Sequence, residues 1–170
     1  MTTAAAPAAG RAKPLEAVPH VELDRYLGTW HEIATIPQRF QKGCVGVTAE
    51  YSLRPDGDVQ VVNTCHEGTL DGNVKRVVGK AWVVDKETGA KLRVRFFWPF
   101  SGSYWIIGLA PDYTWAVVGH PNRKYLWILC RSPQMDAALY QELLTLIADQ
   151  GYDLTKIEKT LQPGGGEAAA

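Results

Sequence analysis

The most reactive side chains in this 170-residue chain are three thiols and four imidazoles. A cysteine attacks as its thiolate, which needs a basic neighbour or another source of positive charge. A zinc site needs cysteines and histidines at short, regular spacing. Cys44, Cys65 and Cys130 are an odd set without zinc or redox spacing, and His20, His31, His66 and His120 are equally scattered. The thiols are left with three roles: pairing, inert burial, or a nucleophile in a pocket. Choosing among them requires the strands that carry them.

Composition narrows the class of molecule first. Eighteen basic and eighteen acidic residues cancel, so no net field draws in nucleic acid. With 46% hydrophobic and 21% charged residues the chain has the make-up of a soluble globular protein. No stretch approaches the ~20 apolar residues of a membrane-spanning helix. The opening "MTTAAAPAAGRAKP" lacks the apolar core of a signal peptide, and no cysteine lies near it for lipidation. The tail "PGGGEAAA" is of low complexity. The expected organisation is a disordered segment over 1–19, one folded domain over 20–162 and a disordered tail over 163–170.

Between Gly28 and Arg131 the chain alternates β-prone runs with turn signals. The runs are 28–36, 45–54, 58–66, 75–84, 91–98, 103–110, 113–119 and 124–131. "RPDGD", "KETGA", "APDY" and "HPNRK" supply turn chemistry between them. Eight strands with short links predict an all-β, eight-stranded antiparallel up-and-down β-barrel. A helical period then appears once: Met135, Ala138, Leu139, Leu143, Leu146 and Ile147 recur at three and four. The expected helix starts at an Ser132 N-cap with Pro133 behind it, stops at Gly151, and packs outside the barrel as a C-terminal α-helix. "DLTKIEKTLQ" adds one short strand beside the first.

In such a meander the links alternate between the two ends. The start of the first strand at Trp30, the turn "APDYTW" and Arg131 after the eighth strand fall at one end, where the links are short. The links at the other end, 37–44, 67–74, 99–102 and 119–124, are longer. One end is sealed and the other is a mouth. Cys44 and Cys65 both lie at the mouth; reflecting the hairpin about Pro55-Asp56 sets 46 opposite 65, with 44 close by. A Cys44–Cys65 disulfide is the form expected in an oxidising compartment, and two reduced thiols in the cytosol. Cys130 is out of phase with Leu129 and belongs under the helix as an inert hydrophobe.

Gly28-Thr29-Trp30 on the first strand, Asp112-Tyr113 before the seventh and Arg131 after the eighth resemble the three-part signature of the lipocalins. The fuller strings "YLGTWHEIA", "VTAEYSLRPDG", "FFWPFSGSYWIIGL" and "YLWILCRSP" are similar to the bacterial outer-membrane lipocalins, the branch that includes apolipoprotein D. The resemblance covers about residues 20 to 162. It implies that Gly28, Trp30, Asp112, Tyr113 and Arg131 are structural: Trp30 fills the closed end and Arg131 packs across it.

Alternation identifies the wall of the interior. Val47, Ala49 and Tyr51 face in from strand two, and Asn63 from strand three. Val77, Gly79 and Ala81 come from strand four, where the small residues are expected to leave volume. Val94, Phe96 and Trp98 come from strand five, Tyr104 from strand six, and Tyr125 and Trp127 from strand eight. This wall suits a small amphiphile. The mouth aromatics Trp98, Phe100 and Trp105 are placed to gate the pocket or to touch a membrane surface; packing inward under the loop is the other reading. The expected function is storage or transport of a fatty acid or lysophospholipid, with no cofactor, by a monomer or homodimer. The resemblance implies the cell envelope, with the cytoplasm as the alternative. Two other functions stand beside it: an enzyme with Cys65 or Cys130 as nucleophile, and a carrier of a retinoid or haem, although no histidine faces in.

Overall fold

Period-two alternation and short polar turns produce one continuous antiparallel sheet in the computed structural model, which describes residues 13–97 and 101–165. Its strands are β1 Gly28–Thr35, β2 Cys44–Leu53, β3 Val59–Glu67, β4 Val74–Val83, β5 Lys91–Arg95, β6 Gly102–Leu109, β7 Trp115–Gly119, β8 Leu126–Cys130 and β9 Glu158–Lys159. Sequential neighbours pair throughout from β2 to β8, and β1 pairs with both β8 and β2, closing an eight-stranded barrel. The short β9 adds to the free side of β1, where Ala34 meets Lys159.

Apolar residues divide into two layers. Trp30, Tyr51, Val61, Ala81, Tyr104 and Leu129 belong to the cluster inside the barrel. Ile33, Ala34, Val117, Ile128 and Cys130 belong to a second cluster outside it, with helix α2 (Ala137–Asp149) packed on top through Tyr140, Leu143 and Ile147. The helix begins four residues later than the sequence predicts. Asp136, not Ser132, caps it by accepting the Leu139 N–H at 3.0 Å. Residues 132–135 are held elsewhere, the Gln134 amide donating to the Pro163 carbonyl at 3.0 Å. Gly151 ends the helix at φ +89° as expected.

The N-terminal boundary also shifts. Leu15 is buried in the outer cluster, and the Val18 N–H donates to the Ile106 carbonyl at 2.9 Å. Packing therefore begins before residue 20, because Leu15 and Val18 have apolar surface to cover. A single helical turn that the sequence reading missed, α1 (Leu23–Tyr26), follows and delivers Tyr26 to the interior. Among the described residues no helix is long and apolar enough to cross a membrane.

Candidate ligand cavity

The closed end forms from residues brought together over a hundred positions of chain. Trp30 is 0% exposed, and its indole N–H donates to the Tyr26 carbonyl at 2.8 Å. The Arg131 guanidinium lies 3.8 Å from the Trp30 ring centroid. It donates to the carbonyls of Tyr113, Thr29, Arg25 and Tyr26 at 2.8–3.3 Å. Such stacking is worth about 0.5–2 kcal/mol before those bonds are counted. Gly28 has φ +100°, and a Cβ there would stand 3.2 Å from the Arg131 guanidinium. Glycine opens the strand because an arginine must pass over it. Asp112 accepts both the N–H and the hydroxyl of Thr114, shaping the turn that holds Tyr113 at φ +59°.

The interior wall runs from this plug toward the mouth. Tyr51, Ala81 and Tyr104 are buried in the inner cluster, and Ala49, Val94, Phe96 and Trp127 pack against it. Asn63 lies opposite both Ala49 and Val77 in the ladder, in phase with buried Val59 and Val61. Val77 shares that inner phase yet is 40% exposed, at the start of β4, whose residues Val74–Val78 are exposed on both faces. Tyr125, just before β8, stacks on Trp127 at 6.1 Å and lies 5.4 Å from His120. Gly79 does not leave free volume as expected. A Cβ there would meet the Phe96 ring at 2.6 Å, so that ring occupies the space.

Two mouth aromatics, Trp98 and Phe100, lie outside the described residues. Trp105 is not a mouth residue. Tyr104 points in, so its neighbour Trp105 points out, where it packs against the outer cluster and under the Lys91 ammonium at 4.2 Å. The thiols are accounted for. Cys44 and Cys65 form a disulfide, with Cα atoms 5.5 Å apart. Cys130 is free and buried in the outer cluster. Neither candidate nucleophile is a free thiol facing the interior.

A second concavity, of about 470 Å³, opens where β1 and β2 part company. Their pairing stops at His31 and Thr48. Beyond it the C-terminal segment bridges the seam: the Thr160 N–H donates to Ile33, and the Leu161 carbonyl accepts from Gly46. The Gln162 amide donates to the carbonyls of Glu32 and Val47, each at 2.8 Å. Val47, expected in the interior wall, lines this groove together with Glu32, Thr35, Arg39 and Lys42.

Glu32 is the polar residue of this region that the sequence reading missed, although it shares the phase of Trp30. It lies opposite Leu129 of the inner cluster and is buried. Its carboxylate accepts from the Thr160 hydroxyl at 2.6 Å and, more weakly, from the Gln41 amide at 3.5 Å. Burial raises its pKa above the usual carboxylate value, outweighing those two bonds. The folded state therefore holds the proton more tightly than the unfolded chain. Stability falls as pH rises from the unfolded pKa, near 4.5, through the raised folded one. Glu32→Gln is expected to remove this slope. Urea unfolding should find the variant at least as stable as the wild type at about pH 7.5, with the advantage shrinking toward about pH 4.5. Parallel profiles for the two proteins would assign the slope to another group.

The Lipocalin-like domain model matches residues 21–162. The chain is a lipocalin. Within the lipocalins it is 40% identical over 159 residues to temperature-induced lipocalin-1 of Arabidopsis thaliana, covering 88% of this chain and 84% of that one. It is 42% identical over 147 residues to the outer membrane lipoprotein Blc of Escherichia coli (strain K12), covering 86% and 82%. Bovine apolipoprotein D is 32% identical over 170 residues, covering 91% and 87%. Among solved structures, insecticyanin from the tobacco hornworm Manduca sexta superposes with a TM-score of 0.69 at 21% identity, covering 94% and 89%. That likeness shows the shared lipocalin barrel. Lipocalins as a family bind small hydrophobic ligands.

Proposed function

We propose that this lipocalin carries a fatty acid or a lysophospholipid in its barrel, in lipid storage, transport or membrane maintenance. The observation that carries the reading is the inner face itself: aliphatic and aromatic groups line it, and Val77, in phase with that face, is 40% exposed. Burying each methylene of an acyl chain there contributes about 0.8 kcal/mol. The envelope is the proposed location. The Cys44–Cys65 bond suits an oxidising compartment, and several bacterial relatives are named outer membrane lipoproteins.

Native mass spectrometry of freshly purified protein, followed by organic extraction, tests the reading. A co-purifying acyl lipid near one-to-one supports it and names the headgroup. Bare protein that also ignores fluorescent fatty acids would overturn it. Val77→Trp adds a steric version of the same test. It should weaken binding of a fluorescent fatty acid by about tenfold or more. Its melting temperature should barely move, since the site is exposed. Unchanged affinity would place the ligand away from this wall.

A further inference from the structure

Charge is spread unevenly along the barrel axis. The links between strands at the mouth carry Arg39, Lys42, Arg123 and Lys124 against one carboxylate, Asp71. The links at the closed end carry Asp56, Asp58, Asp85, Glu87 and Asp112 against Arg54 and Lys86. Beside that end Glu22 and Asp24 offset Arg25 and Arg131, and at the mouth Glu67 pairs with Lys75 at 2.7 Å. A chain with no net charge is therefore basic at its opening and acidic at its base.

Exposed apolar groups gather on the basic end. Phe40 is 71% exposed, Val74 62% and Phe97 71%. They stand at three successive mouth links, around one side of the rim. The Gly43 carbonyl accepts the Gly68 N–H at 2.7 Å, joining the Phe40 segment to the link before Val74. Phe97 follows Arg95, which faces Lys80 of β4 across the ladder. Cations flank each tip: Arg39 and Lys42 beside Phe40, Lys75 and Arg76 after Val74, and Arg95 before Phe97. Arg39, Lys42 and Arg76 are exposed and make no ion pair among the described residues.

Single apolar tips set among unpaired cations do not suit an interface between two proteins, whose centre is poor in charge. A second copy is disfavoured further, because rim against rim opposes like charges. Rim against base makes a head-to-tail contact that has no need to close. The same mixture suits a bilayer surface, where lipid phosphates meet the cations and the tips reach the acyl boundary. The acidic base does not oppose this approach. β2 spans 10 residues, which is about 25 Å along a tilted barrel axis. That is about three Debye lengths at physiological salt, so the base is screened from the surface.

We propose that the rim over β2–β5 docks this lipocalin on an anionic lipid surface, mouth downward, through Arg39, Phe40, Lys42, Val74, Arg76 and Phe97. The docking goes beyond the carrier reading and stands without it. With an acyl ligand inside, it lets the ligand pass between barrel and bilayer without crossing water.

Co-sedimentation of the purified protein with vesicles tests it, comparing phosphatidylcholine alone with phosphatidylcholine mixed with phosphatidylglycerol. The anionic vesicles should bind at least about tenfold more tightly. Raising the salt from about 0.1 M to about 1 M should remove that preference, as the Debye length falls from about 10 Å to about 3 Å. Arg39→Gln with Lys42→Gln should weaken binding to the anionic vesicles about twentyfold, near fivefold for each cation removed. Phe40→Ser should weaken it about tenfold, because a buried ring is lost. Lys86→Gln, at the base, should change nothing. All four positions are exposed, so the variants should keep the wild-type melting temperature. Equal binding to both vesicles, binding to neither, or equal losses from the rim pair and from Lys86→Gln would overturn the docking. So would a dimer that Phe40→Ser dissociates and that ignores vesicles, which would make the rim a contact between copies. Protein that binds anionic vesicles yet takes up no fatty acid would keep the rim and lose the carrier reading alone.

Discussion

Trp30→Ala is expected to cost about 3–5 kcal/mol of folding free energy and to lower the melting temperature by roughly 10–15 °C. Three losses combine at this one position. The indole is fully buried, so its removal leaves a cavity at the base of the inner cluster. Its hydrogen bond to the Tyr26 carbonyl disappears. The Arg131 guanidinium loses the ring 3.8 Å beneath it while still bound to four carbonyls, so it cannot follow the collapse. Arg131→Lys should cost less, about 1–3 kcal/mol, because an ammonium cannot serve all four carbonyls. A double-mutant cycle on the pair, read by urea unfolding, should return a coupling of about 0.5–2 kcal/mol. A loss below about 1 kcal/mol for Trp30→Ala would mean that the closed end repacks around the gap.

The plug was legible in the sequence because its parts are tied to strand ends, and a meander sends alternate ends to the same side. Trp30, Tyr113 and Arg131 could be brought together by counting links alone. The side-chain phase of β5 and most of β2 was legible for a similar reason: polar and apolar residues alternate there, as in Leu92, Val94 and Phe96 against Lys91, Arg93 and Arg95, whereas β3, with Val59, Val61 and Val62, is ambiguous in sequence. Three features were missed or misplaced, the first two for want of coordinates. Tyr26 sits on a single helical turn, too short for a periodic signal, although "LDRYL" sets Leu23 and Tyr26 three apart. In β1 the phase breaks between Glu32 and Ala34, so Ile33 and Ala34 both pack outward and the strand is buried without alternation from Glu32 to Thr35. That break hides the inward Glu32. Trp105 was assigned to the mouth by its place in an aromatic run, whereas its phase opposite Tyr104 decides its face. Composition misled where parity would have served.

Removing the disulfide with Cys44→Ala and Cys65→Ala is expected to cost about 3 kcal/mol, the entropy of closing a loop across a separation of 21 residues. The effect should also be local. Cys44 opens β2 and pairs with Glu67 across the ladder, while the Gly43 carbonyl accepts the Gly68 N–H. The crosslink thus pins the segment 37–43 that edges the seam groove. Its loss should make that segment an early site of proteolytic cleavage, detected by mass spectrometry, while Cys130 stays protected from thiol reagents beneath α2. A stability change below about 1 kcal/mol would mean that the unfolded ensemble is already restricted near this hairpin. The same chemistry reads out the compartment. Protein taken from its native cells and denatured directly in an alkylating reagent should take up one label if the bond forms there and three if it does not. One thiol supports the envelope; three would relocate this lipocalin to a reducing interior, where the mouth loop would have to hold its shape without the staple.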